Sequence, residues 1–164
     1  MPVHNYAQPR GTTVTLEIHA PALADNLLGD PPWRAVAVYL PEGYDRGQER
    51  YPIFVDLAGY GSSGLKRLSW NGFGESMPQR LDRLVAEGKM GPVIGVFPDG
   101  FTGLGGNQYI DSPALGRWEE FLARDMVARL EQEFRVRPGR AGRAIFGHSS
   151  GGYGALVHGM RRAD

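Results

Sequence analysis

The sequence has 164 residues, of which 41% are apolar, and its 18 Lys and Arg balance its 18 Asp and Glu. A chain of this length and composition is typical of one globular domain with a sizeable core, so we expect a single domain over residues 1–164. The zero net charge argues against nucleic-acid and membrane partners, and the absence of cysteine excludes disulfides and thiolate metal sites. We expect no cofactor and no metal.

The N-terminal residues show no basic stretch followed by an apolar one, which is the pattern of a secretory signal peptide. No apolar run approaches the roughly 18 residues of a membrane span. We therefore expect a cytoplasmic protein.

The first part of the sequence alternates strand patterns with a helix pattern. Residues 13–20 and 34–41 alternate as half-buried strands do, whereas 53–58 and 92–97 are almost continuously apolar, as in buried parallel strands. Between these last two, residues 75–88 have the apolar spacing of a helix, and Gly88 suits its C-terminal cap.

The second part continues the alternation after a long loop. Ser112 and Pro113 suit the start of a helix whose apolar stripe runs from Leu115 to Phe134 and includes Trp118, which we interpret as core. Residues 143–146 are a third buried strand, and a further helix follows. The apolar side of this last helix is predicted to consist of Tyr153, Leu156, Val157 and Met160. The order predicts an α/β fold with parallel crossovers, preceded by two antiparallel strands.

The sequence AIFGHSSGGYGAL, residues 144–156, contains a G-x-S-x-G pattern centred on Ser149. A strand that leads through this pattern into a helix is typical of a nucleophile elbow, where glycines permit a tight turn that exposes the serine. The helix that follows also directs its first amides at an oxyanion. The alternative is a glycine-rich turn with an ordinary surface serine.

Two longer stretches carry a family resemblance. The stretches PDGFTGLGGNQYIDSPALGRWEEFLARDMVARLEQEFRV and RAIFGHSSGGYGALVHGM resemble the putative esterase family of α/β-hydrolases, which includes S-formylglutathione hydrolase, enterochelin and feruloyl esterases, and mycolyltransferases. The resemblance covers about residues 50–162. It implies a three-layer α/β-hydrolase fold with a mostly parallel central sheet, and a serine hydrolase of small carboxylic esters with Ser149 as nucleophile. Ser150 stands where many relatives have methionine, but this position contributes mainly its backbone N–H.

A second oxyanion donor is expected from the loop LAGYGSSG, residues 57–64, which resembles the family's turn at this place. The Tyr60 N–H is the candidate, and the Gly59 N–H is the alternative. Gly59, Gly61 and Gly64 also fit a dinucleotide-binding pattern. However, no helix opens at once and no acidic residue ends a second strand at the required distance, which argues against a nucleotide site.

None of the four histidines is placed to serve as the general base. His4 and His19 lie before or in the first strand, His148 points away from its neighbour Ser149, and His158 is about 13 Å along the next helix. In this fold the acid and the histidine follow the serine in the chain. We therefore expect them beyond residue 164, in C-terminal strands that the fold, truncated after the elbow helix, would lack here.

Asn107 and Tyr109 are candidate substrate contacts because their loop leaves the carboxyl end of a parallel strand. The alternative is that both residues only pack this loop. For the function, a serine esterase or an acyltransferase of the same fold stands against a non-catalytic, hydrolase-like binding domain.

Overall fold

A five-stranded mixed sheet forms the middle of the computed structural model, which describes residues 6–7 and 9–162. The strands are β1 (Thr12–His19), β2 (Trp33–Leu40), β3 (Ile53–Leu57), β4 (Ile94–Pro98), β5 (Asp111–Ser112), β6 (Gly116–Arg117) and β7 (Arg143–Gly147). The sheet order is β1-β2-β4-β3-β7, and β5 and β6 form a separate two-stranded hairpin. Pairing is antiparallel from β1 to β4 and parallel from β4 through β3 to β7, which confirms the two leading antiparallel strands.

Helices cover both faces of the sheet, which gives the predicted three layers. They are α1 (Met77–Ala86), α2 (Trp118–Glu120), α3 (Val127–Glu133) and α4 (Ser150–Arg161), and a π-helical segment (Phe121–Met126) joins α2 to α3. A capping box between Ser76 and Gln79 begins α1, and Gly88 after its end has the expected left-handed backbone.

Two apolar clusters lie on the two faces of the sheet. Side chains along β3 point alternately to the two faces. Ile53, Val55 and Leu57 therefore belong to the larger cluster, and Phe54 packs against the smaller one. The larger cluster contains the stripe predicted for the second helix, and Trp118 in that stripe is fully buried, as expected for core.

The second helix begins later than predicted, at Trp118 rather than after Ser112. Gly116 has a left-handed backbone with φ of 95°, which is incompatible with helix, and residues 111–117 form the β5–β6 hairpin instead. The carboxylate of Asp111 accepts hydrogen bonds from the Glu119 and Glu120 amides, at 2.8 and 3.2 Å, and so supplies the cap that Ser112 was predicted to supply.

The predicted apolar side of α4 is mostly exposed. Val157 is buried, but the exposed fractions of Tyr153, Leu156 and Met160 are 47, 62 and 68%. The face of α4 that is buried instead contains small and polar residues, among them Gly151, Gly154 and His158. Helix α4 packs against β7, an edge strand of the sheet, and the apolar residues on its outer side are left exposed.

Candidate active site

Ser149 occupies a sharp turn between β7 and α4. Its backbone has φ of 55° and ψ of −120°, one of two positive-φ conformations among the described non-glycine residues. Such a conformation is strained for a residue with a side chain and persists only where the surrounding structure enforces it. Ser149 is exposed, and α4 begins with the next residue. This is the geometry predicted for a nucleophile elbow.

The glycines on either side of Ser149 are required by close backbone contacts. A Cβ at Gly151 would lie 2.0 Å from the Leu57 carbonyl oxygen, and one at Gly147 would lie 2.6 Å from the same oxygen. Both positions therefore exclude any side chain. The contact presses the start of α4 against the end of β3, which brings the serine beside the loop that follows β3.

That loop approaches Ser149 at Gly59. A Cβ at Gly59 would lie 3.4 Å from the Ser149 Cβ and 3.2 Å from the His148 carbonyl oxygen. The carbonyl of Gly59 accepts a hydrogen bond from the Ser62 amide at 3.2 Å, which closes a tight turn. Among the described residues, neither the Gly59 nor the Tyr60 amide donates to a backbone oxygen. The Ser150 amide, in the first turn of α4, has no acceptor within the helix.

A cavity of about 580 Å³ opens beside Ser149. Its wall is largely polar and has more cationic than anionic side chains: Lys66, Arg67 and Arg80 against Glu75. Glu75 is itself paired with Arg83 at 2.6 Å and with Arg80 at 3.6 Å. Two exposed aromatic residues, Tyr60 and Trp70, also line the cavity.

Asp56 on β3 is buried under this cavity, and its partner is Arg67 of the 3-10 helix Gly64–Leu68. The Arg67 Nε lies 2.8 Å from one carboxylate oxygen, and its other nitrogen donates to the second oxygen at 3.1 Å. Burial raises the pKa of Asp56, and the charge and hydrogen bond of Arg67 oppose that rise. The buried carboxylate of Asp56 therefore has a charged partner, and the ion pair closes the base of the loop after β3.

The loop after β4 holds the two candidate substrate contacts, and both are buried. The exposed fraction of Asn107 is 2%, its amide nitrogen donates to the Gly100 carbonyl at 2.6 Å, and its oxygen accepts from the Tyr109 amide at 2.5 Å. The Tyr109 hydroxyl donates to the Ala58 carbonyl at 2.8 Å. Neither side chain lines the cavity beside Ser149. Their burial favours the alternative in which they pack the loop.

This second loop also supports the first one from outside. The Gly61 amide donates to the Gly105 carbonyl at 2.8 Å, and the Tyr60 hydroxyl donates to the Leu104 carbonyl at 2.6 Å. Within the second loop, the buried Thr102 hydroxyl bonds the Gly106 carbonyl at 2.6 Å. Sequence reasoning missed Arg67 and Thr102, because nothing in the local pattern shows which distant group each would contact.

The described histidines do not reach the serine hydroxyl. His19 packs on Trp33, with ring centroids 4.9 Å apart, and His158 is buried with its Nε2 on the Tyr109 carbonyl at 3.0 Å. His148 is exposed next to Ser149 but makes no hydrogen bond to it. His4 lies outside the described residues. Within those residues, no group of three or more His, Cys, Asp or Glu could hold a metal ion, and no helix is long and apolar enough to cross a membrane.

The sequence and the fold of this chain are similar to those of known proteins. The family model described as "Putative esterase" matches residues 32–164. The chain belongs to this esterase family.

Individual relatives agree with this placement. Over 131 residues the chain is 29% identical to an endo-1,4-beta-xylanase/feruloyl esterase of Xylanibacter ruminicola. The aligned region covers 77% of this chain and 18% of that protein. A solved ferulic acid esterase superposes with a TM-score of 0.75 at 28% identity, over 94% of this chain and 54% of that one.

More distant structures share the fold. A ferulic acid esterase of Anaeromyces mucronatus has a TM-score of 0.72 at 20% identity, over 98% of this chain and 57% of that one. An S-formylglutathione hydrolase of Agrobacterium tumefaciens has a TM-score of 0.64 at 19% identity, over 92% of this chain and 53% of that one. The α/β-hydrolase fold predicted from the sequence is confirmed. The chain spans about half the length of these solved structures.

Proposed function

We propose that this chain carries the nucleophile and the oxyanion hole of a serine esterase. Ser149 attacks the acyl carbon of a small-molecule carboxylic ester and displaces the alcohol, and water then hydrolyses the acyl-enzyme to release the acid and the free serine. The amide of Ser150 and that of Tyr60, or of Gly59, stabilise the oxyanion. The observation that carries the proposal is the positive φ of Ser149, held at the start of α4 with Gly59 packed against it.

The acid and the general base of the proposed triad come from beyond these 164 residues. Two observations support this: the related structures are about twice as long as the chain, and His19 and His158 are held elsewhere, by Trp33 and by the Tyr109 carbonyl. The exposed apolar residues Leu156 and Met160 on α4, beside the edge strand β7, offer a surface on which additional strands and helices would pack.

For the substrate we propose an ester of an aromatic acid of the feruloyl type. The names of the relatives at 28 and 29% identity support this choice. The cavity beside Ser149 supports it as well, because Tyr60 and Trp70 present exposed rings on which an aromatic acyl group can stack. Transfer of the acyl group to an alcohol instead of water is a variant of the same chemistry.

A fluorophosphonate probe tests the proposal in the complete protein that contains this chain. We expect the probe to label Ser149, and Ser149→Ala to abolish labelling and to lower hydrolysis of methyl ferulate by about a thousandfold or more. The matched control is Ser112→Ala, which removes a serine hydroxyl outside the site and should retain both. Labelling at another residue, or normal hydrolysis by Ser149→Ala, would contradict the assignment.

A non-catalytic binding domain is the second candidate. It is favoured by one observation, namely that no described histidine hydrogen-bonds the Ser149 hydroxyl. The two candidates differ in the same experiment: a binding domain would retain ligand affinity in Ser149→Ala and would show neither labelling nor turnover in the wild type.

A further inference from the structure

We infer that Tyr109 is a positioning residue for the oxyanion hole, and that it ties the loop after β3 to the helix that begins at the nucleophile. This inference rests on the proposed esterase function. The buried Tyr109 touches both partners directly: its hydroxyl donates to the Ala58 carbonyl at 2.8 Å, and its own carbonyl oxygen lies 3.0 Å from the His158 Nε2 on α4.

The hydrogen bond to Ala58 sets the direction of an amide in the oxyanion loop. The peptide unit between Ala58 and Gly59 is planar and trans, so its carbonyl and its N–H point in opposite directions. Because Tyr109 holds the Ala58 carbonyl on the buried side, the Gly59 N–H is directed away from the core. The next peptide is held separately, by the Ser62 amide on the Gly59 carbonyl at 3.2 Å. Each candidate donor amide therefore belongs to a peptide unit whose carbonyl is held by a hydrogen bond.

Tyr109 is itself held firmly. Its backbone has a positive φ of 60°, which is rare for an aromatic residue, and Asn107 accepts its amide hydrogen at 2.5 Å. Gly154 of α4 lies so close that a Cβ there would be 2.9 Å from the Tyr109 Cβ. The Trp118 ring meets the Tyr109 ring edge-on, with centroids 6.3 Å apart. A strained backbone fixed from several sides indicates a residue whose exact placement matters.

The protonation states suit these hydrogen bonds. A carbonyl oxygen only accepts, so the His158 Nε2 must carry the hydrogen that it donates to Tyr109. Burial raises the pKa of Tyr109 to about 12, against the opposing hydrogen bond to Ala58, so its hydroxyl remains a donor at the pH of any ester assay.

The test is Tyr109→Phe in the complete protein, which removes the hydroxyl and keeps the ring. We expect kcat to fall about tenfold to a hundredfold, somewhat less than the loss of an oxyanion donor itself, with KM within about twofold. The rate of phosphonylation of Ser149 should fall by a similar factor, because the phosphonyl oxygen occupies the same hole. Tyr109→4-aminophenylalanine, which restores a donor at the same position, should recover most of the rate.

The matched control is Tyr51→Phe, which also removes the hydroxyl of a buried tyrosine. This hydroxyl donates to the Glu49 carboxylate at 3.1 Å and lies away from Ser149. We expect its kcat and its phosphonylation rate to be unchanged. A second variant, His158→Leu, leaves the Tyr109 hydroxyl in place and removes the hydrogen bond between the Tyr109 carbonyl and α4. We expect a smaller fall in kcat of about threefold to tenfold, again at constant KM, and this variant decides the matter if Tyr109→Phe does not fold.

The outcomes separate this inference from the proposed function. If the wild type hydrolyses esters in a Ser149-dependent manner, while Tyr109→Phe retains kcat within about twofold or loses activity only through KM, the inference is wrong and the function stands. A wild type that neither hydrolyses esters nor reacts with the probe overturns both.

Discussion

The loop that follows β3 and the loop that follows β4 differ in what they expose. The loop after β3, residues 58–64, lines the cavity beside Ser149 with residues 59–62, of which Tyr60 is half-exposed. The loop after β4, residues 99–110, buries Thr102, Asn107 and Tyr109 and satisfies their polar atoms with main-chain groups. The first loop thus lines the cavity, and the second holds the first in place. Polar side chains in a loop that follows a parallel strand can therefore be buried supports and need not face the cavity.

The loops are also fixed by different forces. An ion pair, Asp56 with Arg67, closes the base of the first loop at 2.8 Å, and neutral hydrogen bonds hold the second. Removing one member of a buried ion pair leaves an uncompensated charge, which costs more than the loss of neutral bonds. We therefore expect the larger loss of stability from the first loop.

The largest effect is expected for Arg67→Met. It strands the carboxylate of Asp56, which is 1% exposed, and should lower the free energy of unfolding by about 3 kcal/mol at pH 7. This loss of stability is at the low end of the range for broken buried ion pairs, because a third of the Arg67 side chain is exposed to solvent. Urea denaturation measures the loss. The matched control is Arg80→Met, which removes a more exposed arginine of the same cavity and should cost less than about 1 kcal/mol.

The loss in Arg67→Met should shrink as the pH falls. Burial already raises the pKa of Asp56, and without the opposing Arg67 it rises further. A carboxyl group whose folded pKa exceeds its unfolded value binds a proton more readily when folded, so stability increases as the pH falls through the folded pKa. The difference in the free energy of unfolding between wild type and variant should therefore be smaller at pH 5 than at pH 7. An equal difference at both would contradict the stranded-charge explanation.

An intermediate effect is expected for Asn107→Ala in the second loop. It leaves the buried Gly100 carbonyl and the Tyr109 amide without their partner and should lower the free energy of unfolding by about 2 kcal/mol. The exposed Asn71, which accepts one hydrogen bond from the Phe73 amide at 2.9 Å, provides the control, and Asn71→Ala should cost under about 1 kcal/mol.

Asn107→Ala also distinguishes a structural role of Asn107 in its loop from a role in substrate binding. If Asn107 only supports the loop, the ratio of kcat/KM between feruloyl and acetyl esters should be the same in Asn107→Ala as in the wild type. A changed ratio would return Asn107 to the substrate contacts and would weaken the distinction between the two loops.

The smallest effect is expected for Tyr60→Phe. The lost hydrogen bond to the Leu104 carbonyl, 2.6 Å long, is exposed, so the free energy of unfolding should change by less than about 0.5 kcal/mol. The proposed donor at this position is the backbone amide, which the substitution retains, so kcat/KM should stay within about threefold. A loss comparable to that in Tyr109→Phe would show that the tyrosine hydroxyl takes part directly.

The sequence predicted three strands of the sheet and the turn at Ser149 correctly. Apolar runs predicted β3, β4 and β7, and the G-x-S-x-G motif predicted the turn at Ser149, because strand burial and close glycine contacts leave their mark on the residues concerned. The start of α2 was missed because its cap, Asp111, acts across a hairpin.

Long-range placement explains the other differences. The sequence position of Tyr109, after a parallel strand, does not reveal that its hydroxyl donates inward to the Ala58 carbonyl. The outward side of α4 was predicted to be buried since Leu156 and Met160 have helical spacing, which cannot tell what lies on the other side. Arg67 was missed as the partner of Asp56 because the two meet only when the loop between them closes.

The contact of Gly151 with the Leu57 carbonyl has a consequence for how this protein can change over generations. At this contact the start of α4 meets the end of β3 main chain against main chain. Apolar residues of the sheet can then be exchanged for others of similar volume without moving Ser149. A library of random variants selected for activity should accordingly be nearly invariant at Gly147 and Gly151 while tolerating many substitutions at core positions such as Val55 and Ile145.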